Sequence, residues 1–337
     1  MSAMQTLVDL FAGRRDAAKL TPRDWDGVIG VARAEAMLAT LSHRLDAADL
    51  PPPVAALFAD QRAAAKVAQN QALWEAEMAR RALAPEGIEF ILLKGTAYAA
   101  VGLRCSDGRQ IGDLDILVVA HHIRRAENEL LEAGWEWVKS DPYDDHYYRE
   151  HMHELPPLIH KARDRMIDVH HMILPKTHRI TPDALSLVSD AVVTESGLAV
   201  LCPTDMVCHC AAHMLADGDL QGGLRNLWDF HCLTRDFAAA DPRFWDKLDA
   251  RADRHGLGAA VHRAARLARD LFGADLPPGW DGRDPADSWY RRRLLARDDW
   301  GRPTNFLLQQ AFYIRSHWLR MPPMMLAKHL WTKWRKG

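Results

Sequence analysis

The sequence predicts an α+β protein in which a mixed-sheet core lies between helical N-terminal and C-terminal regions. Three observations carry this. Val54 to about Leu83 is a long Ala-rich run of strong helix formers. Short apolar runs punctuated by Gly and Pro take over between residues 88 and 171, with the length and texture of strands. From Thr181 onward helical patterning returns.

The 337 residues set a prior of about two domains. The texture divides the chain into a helical region 1–84, an α/β core 85–200 and a helical region 201–337 that ends in a basic amphipathic tail. The balance of 43 Lys+Arg against 45 Asp+Glu excludes a generally basic nucleic-acid coat and an acidic solvating tail. The net charge of −2 hides an asymmetry, because the segment after Asp299 has seven basic residues and no acidic one. The N-terminus meets Asp9 early and shows no long apolar run or cleavage site, so the expected location is cytoplasmic. The longest apolar runs fall far short of a bilayer span. Five cysteines without a C-x-x-C spacing fit free buried thiols in a reducing compartment.

Each element has its local reason. Thr21-Pro22-Arg23-Asp24 places an N-cap before a first-turn proline, Pro51-Pro52-Pro53 breaks the chain, and Pro85-Glu86-Gly87 ends the Ala-rich helix. Ile88 to Leu93 reads as a buried strand, and Gly95-Thr96 turns it into a short helix near Ala97 to Val101. A Gly- and Arg-containing loop, Gly102 to Gly112, leads to a second strand, Asp113 to Val119. His121 to Ala133 is helical and capped by Gly134, and Trp135 to Val138 reads as a third strand. Residues 139–150 read as a polar, aromatic loop. His153 to Ile159 and Arg165 to His171 read as two strands around a turn at Lys161 to Asp164. Pro203-Thr204-Asp205 starts a helix expected to reach His213; Arg225 to Thr234, Pro242 to His255 and Leu257 to Phe272 follow, with helix on both sides of Pro322-Pro323.

The chemistry concentrates in Gly112-Asp113-Leu114-Asp115-Ile116-Leu117-Val118. Side chains alternate on a strand, so Asp113 and Asp115 share one face, about 7 Å apart, while Leu114 and Ile116 take the other. Two carboxylates so placed repel each other and suit hard divalent cations bridging phosphate oxygens. Asp168, in Met166-Ile167-Asp168-Val169-His170, shares its face with His170, so adjacency of the two strands would bring three carboxylates together. Upstream, Lys94-Gly95-Thr96 is a strand-to-helix turn whose backbone N–H groups suit phosphate, with Lys94 and Arg109 adding positive charge.

In this order, ILLKG…GRQIGDLDILV…IDVHH resembles the polymerase-beta-type nucleotidyltransferase superfamily and, more narrowly, the bacterial family of uncharacterised nucleotidyltransferases. The resemblance covers roughly residues 86–175, with a weaker extension through CPTDMVCHCAAHML and LRNLWDF. It implies a nucleotidyltransferase-like core. It also implies that Asp113, Asp115 and Asp168 hold Mg²⁺ or Mn²⁺, with Asp168 as a base for the acceptor hydroxyl, and that Gly95 and Thr96 hold the phosphates. The turn Lys94-Gly95-Thr96 and the 18-residue step from Gly95 to Asp113 depart from the broad superfamily and fit the narrower family. The implied reaction transfers an NMP from an NTP, with ATP the expected donor, to a hydroxyl of an unnamed acceptor, releasing pyrophosphate.

Other residues carry paired readings. His209 and His213 stand at i,i+4, a spacing that can bind zinc, but no carboxylate or Cys stands at a convincing spacing from them; His213 reads as a buried hydrogen-bonding residue or a cleft residue. Arg225 and Asp229 read as an intrahelical ion pair or as cleft lining, and His170 as a substrate contact or a structural imidazole. Residues 318–337 mix Trp, Met and Leu with Lys and Arg, which fits an anionic membrane surface, a protein partner or packing on the acidic remainder. No sequence-specific nucleic acid is expected. The rival functions are a catalytically inactive nucleotide-binding or scaffolding protein, and a membrane-surface accessory protein of an envelope or peptide-maturation pathway.

Overall fold

The first two helices begin at side-chain caps that the sequence supplies. Ser2 accepts from the Gln5 N–H and starts α1 (Ala3–Phe11). Thr21 and Asp24 form a capping box before α2 (Pro22–Ala34), with Pro22 in the first turn, as the sequence predicts. α3 (Leu38–Ser42) and the 32-residue α4 (Pro52–Leu83) complete the N-terminal region. The computed structural model describes residues 1–138, 142–324 and 326.

The core then runs β1 (Phe90–Leu92), α5 (Lys94–Ala100), β2 (Asp113–Val118), α6 (Ile123–Glu132), β3 (Trp135–Trp137), α7 (Pro142–His151), β4 (Leu158–His160), β5 (Met166–His170), α8 (Ala184–Ser189), β6 (Val192–Val193) and β7 (Ala199–Val200). After it come α9 (Pro203–Ala211), α10 (Gly223–Ala240), α11 (Phe244–Arg254), α12 (Gly258–Phe272), α13 (Asp287–Leu294) and α14 (Phe306–Arg320). The protein is thus α+β, with a seven-stranded mixed sheet in the order β3-β4-β5-β2-β1-β7-β6 and helices on both sides of it in sequence.

The central pairings place the site. β2 lies antiparallel to β1, with Leu92 opposite Ile116, and parallel to β5, with Asp115 opposite Asp168. Leu114 and Ile116 are buried, as the alternation requires, and α4 packs on β2, α5 and α6. One hydrophobic cluster runs from Leu7 and Trp25 through Phe58, Ile116 and Val169 to Phe230 and Leu271. Burying each such large side chain contributes about 1.5–3 kcal/mol. The two helical regions meet directly. The Ala3 N–H donates to Asp299 at 3.0 Å, Arg297 pairs with the buried Glu35, and the Phe11 ring lies 6.3 Å from that of Phe272. All five cysteines are free; four are buried and Cys202 is half-buried.

The structure corrects three local expectations. Residues 142–151, read as loop, form α7, where Arg149 binds Asp145 one turn back at 2.9 Å and Glu127 of α6 at 2.7 Å; residues 139–141 lie outside the described residues. The strand expected over His153 to Ile159 is broken. Leu158 faces Ile167 and Ile159 faces Met166, but Glu154 faces His170, one residue out of that register. Pro156 and Pro157 sit at the offset and cannot donate to a ladder. The helix expected to reach His213 is α-helical only to Ala211 and continues as a π-helical turn, Ala212–Asp217. Helix precedes Pro322, as expected, while most of the basic tail (325 and 327–337) lies outside the described residues. Among those described, no helix is long and apolar enough to cross a membrane.

Candidate active site

β2 and β5 bring the three aspartates together. Asp113 and Asp115 share a face by alternation, and the parallel register sets Asp168 beside Asp115. One carboxylate oxygen of each residue lies within 4.8 Å of the others. Asp113 is exposed at the strand start, Asp168 is half-buried and Asp115 is 3% exposed. Asp113 opens β2, while Asp115 and Asp168 stand level with each other further along the paired strands.

The electrostatics differ accordingly. Burial would raise the Asp115 carboxyl, but the Lys94 ammonium, donating to Oδ1 at 2.7 Å, and the His170 imidazole at 3.0 Å hold it well below the usual carboxylate range. Lys94 reaches it because the β1–β2 register sets Leu93 N–H on the Asp115 carbonyl at 3.0 Å, so the next residue stands over the carboxylate. Burial pushes Asp168 up to about 7, with Asp115 and Glu154 adding repulsion. Burial and Asp115 also raise Asp113, though its open face lets solvent screen the effect.

A divalent cation fits this donor set. The three donors are all carboxylate oxygens, the choice of Mg²⁺ and Mn²⁺. Asp168 Oδ1 is buried with no hydrogen-bond partner, and its repulsion by neighbouring carboxylates is what a bound cation relieves.

The phosphate-contact candidates are arranged less simply. Lys94 lies in α5's first turn with φ +48° and is already paired with Asp115. Gly95 and Thr96 are buried, and the Thr96 hydroxyl has no partner. Arg109 is turned inward: it pairs with Asp229 and lies 5.7 Å from the Tyr98 ring centre. A Cβ on Gly95 would meet Arg109 Nε at 2.5 Å, so glycine here is required by the buried guanidinium beneath it. Arg225 and Asp229 form the intrahelical pair at 2.8 Å, and Arg225 also donates to Thr40 and to the Cys105 carbonyl. These groups tie α10 to the loop before β2.

The histidines cluster. Burial keeps His209 down to about 3 and lowers His213 well below its ordinary value. Among the described residues neither belongs to a group of three candidate metal ligands. His213 also lines a hollow with Asp217, Asn226 and Arg320. A larger cavity, between Phe11, Arg44, His231, Arg235 and Phe272, is lined by none of Asp113, Asp115 and Asp168.

Sequence reasoning missed Glu154 and His153. Glu154 lies opposite His170, its Oε2 3.3 Å from His170 Nδ1, so it joins the aspartate face. In the register of Leu158 and Ile167 it would instead oppose His171 and point to the other face.

A profile of the family described as uncharacterised nucleotidyltransferase matches residues 21–273, about three quarters of the chain. No curated protein and no solved structure matches it.

Proposed function

The chain belongs to that nucleotidyltransferase family, and on this premise we propose that it transfers an NMP from an NTP to a hydroxyl of its acceptor, releasing pyrophosphate. The observation that carries this is the convergence of Asp113, Asp115 and Asp168 on one sheet face. Mg²⁺ or Mn²⁺ held there would neutralise triphosphate charge and stabilise the attacking and leaving oxygens. The chain's own residues do the rest. Asp115, fixed by Lys94 and His170, is a pre-set carboxylate, and Asp168, beside it on β5, would take the acceptor's proton. The buried turn at Gly95-Thr96, braced by Arg109 and Asp229, would seat the phosphates, with ATP the first donor to try. The hollow that His213 lines with Asp217, Asn226 and Arg320 supports an acceptor cleft among the C-terminal helices.

Pyrophosphate release from each of the four NTPs, with Mg²⁺ or Mn²⁺, tests the reading. Transfer that persists undiminished in a folded Asp113→Ala protein would sink it.

The Lys94–Asp115 pair favours a second reading, a nucleotide-binding protein without turnover, because one of the three carboxylates is already neutralised. Calorimetry showing NTP binding with no pyrophosphate release would select it. The +7 charge after Asp299 supports a peripheral membrane or protein contact through 318–337, which flotation of the full chain with anionic vesicles against a truncation after Asp299 tests.

A further inference from the structure

Beside the carboxylates stands a second group with different chemistry. His153, Glu154 and His170 each place one ligand atom within 4.8 Å of the others. His170 and His153 are 2% and 8% exposed, with ring centres 5.2 Å apart. We propose that His153, Glu154 and His170 bind a transition-metal ion of the Zn²⁺ class, a nitrogen-ligated centre separate from the all-oxygen aspartate site.

Four observations argue for it. Because the Asp115 carboxylate can only accept, His170 donates to it through Nε2 at 3.0 Å, which leaves Nδ1 as the ring atom turned to a ligand. That nitrogen is buried and faces Glu154 Oε2 at 3.3 Å without an aligned hydrogen bond, so two potential ligand atoms already stand side by side. A tetrahedron with metal–ligand bonds of ~2.0 Å has edges of about 3.3 Å, so this separation already suits a shared ion. His153 Nδ1 is likewise buried without a partner, an unused ligand atom beside the other two.

The surroundings complete a metal site. Asp115 orients His170 from behind, the carboxylate–histidine arrangement that fixes a ligand's tautomer. Asp113, Asp115, Asp168 and Glu154 outnumber Lys94, so the pocket has negative charge to spare for a dication. Two imidazoles and one carboxylate leave a fourth position open to water or a substrate oxygen. His170 links this centre to Asp115 directly, so metal at one site changes the charge felt at the other.

Titrating the chelator-treated full-length protein with Co²⁺ tests this by visible absorption, independently of any transfer assay. One equivalent with the bands of a four-coordinate, nitrogen-ligated ion is expected, displaced by Zn²⁺. Glu154→Gln should weaken it at least 10-fold and His153→Ala at least 10-fold. Circular dichroism checks folding, and Glu154→Gln, the near-isosteric change, decides if His153→Ala fails to fold. Absence of the bands, or binding by folded Glu154→Gln equal to the parent, overturns the site. Mg²⁺-dependent transfer without Co²⁺ bands would remove this centre and leave the nucleotidyl-transfer reading standing. Bands lost in Glu154→Gln in a protein without transfer would support the centre and count against that reading.

Discussion

Replacing Asp168 by Asn should make the metal-free protein more stable. The Asp168 carboxyl is raised from 3.8 to about 7 by burial and by Asp115 and Glu154. The folded state therefore holds a proton that the unfolded chain releases between about pH 4 and pH 7. The sign follows from linkage: a folded pKa above the unfolded one contributes stability below pH 4, and that stability is lost as pH rises to about 7. About three pH units at 1.36 kcal/mol each set a ceiling near 4 kcal/mol, which partial solvent access reduces to about 2–4. Asn has the carboxyl's shape without its charge, so Asp168→Asn and the parent should lie within about 1 kcal/mol at pH 4.5 and diverge by about 2–4 kcal/mol in the variant's favour at pH 8. Urea unfolding in EDTA across that range measures it. Mg²⁺ should restore the parent and do little for the variant. A parent whose stability is flat or rising relative to Asp168→Asn from pH 4.5 to 8 would refute the argument that these carboxylates strain one another.

Three further outcomes are expected. Asp113→Ala, at an exposed position, should leave the melting temperature nearly unchanged while lowering NTP-dependent transfer at least about 10³-fold, read as pyrophosphate release. Gly95→Ala should cost about 1–3 kcal/mol in urea unfolding, because the methyl displaces Arg109 from Asp229; equal stability would mean that the guanidinium yields freely. Asp205, fully buried, receives hydrogen bonds from Arg251 at 2.6 Å and His255 at 2.8 Å, and although burial opposes it, these partners hold its carboxyl below 3.8. Its contribution is present above pH 4 and lost below, so Asp205→Asn should cost about 3–5 kcal/mol at pH 7 and progressively less in acid unfolding below pH 4.

The aspartate site was legible because it depends on short-range rules. Alternation puts Asp113 and Asp115 on one face, and the same rule puts His170 with Asp168. The resemblance supplied the pairing that alternation cannot, that of β2 with β5. Arg109 was not legible, because its partner Asp229 lies 120 residues away and nothing local marks an inward-facing guanidinium. Glu154 was hidden by a one-residue register offset, since a period of two turns a slip of one into a change of face. The helix over 142–151 was obscured by its polar, aromatic composition. Part of its support comes from α6, through Glu127.

The junction between the first and last helical regions sets the timetable of synthesis. Glu35 waits for Arg297, and the Ala3 N–H for Asp299, across 262 and 296 residues of chain. At about 5–20 residues per second, α1 and α2 would spend about 15–60 s on the ribosome before the segment that covers them is made. Leu7, Val28 and Val31, fully buried in the finished protein, belong to these early helices. During that interval their apolar faces are open to chaperones and to other nascent chains, so the protein's yield in a cell depends on its C-terminal third arriving intact and on time.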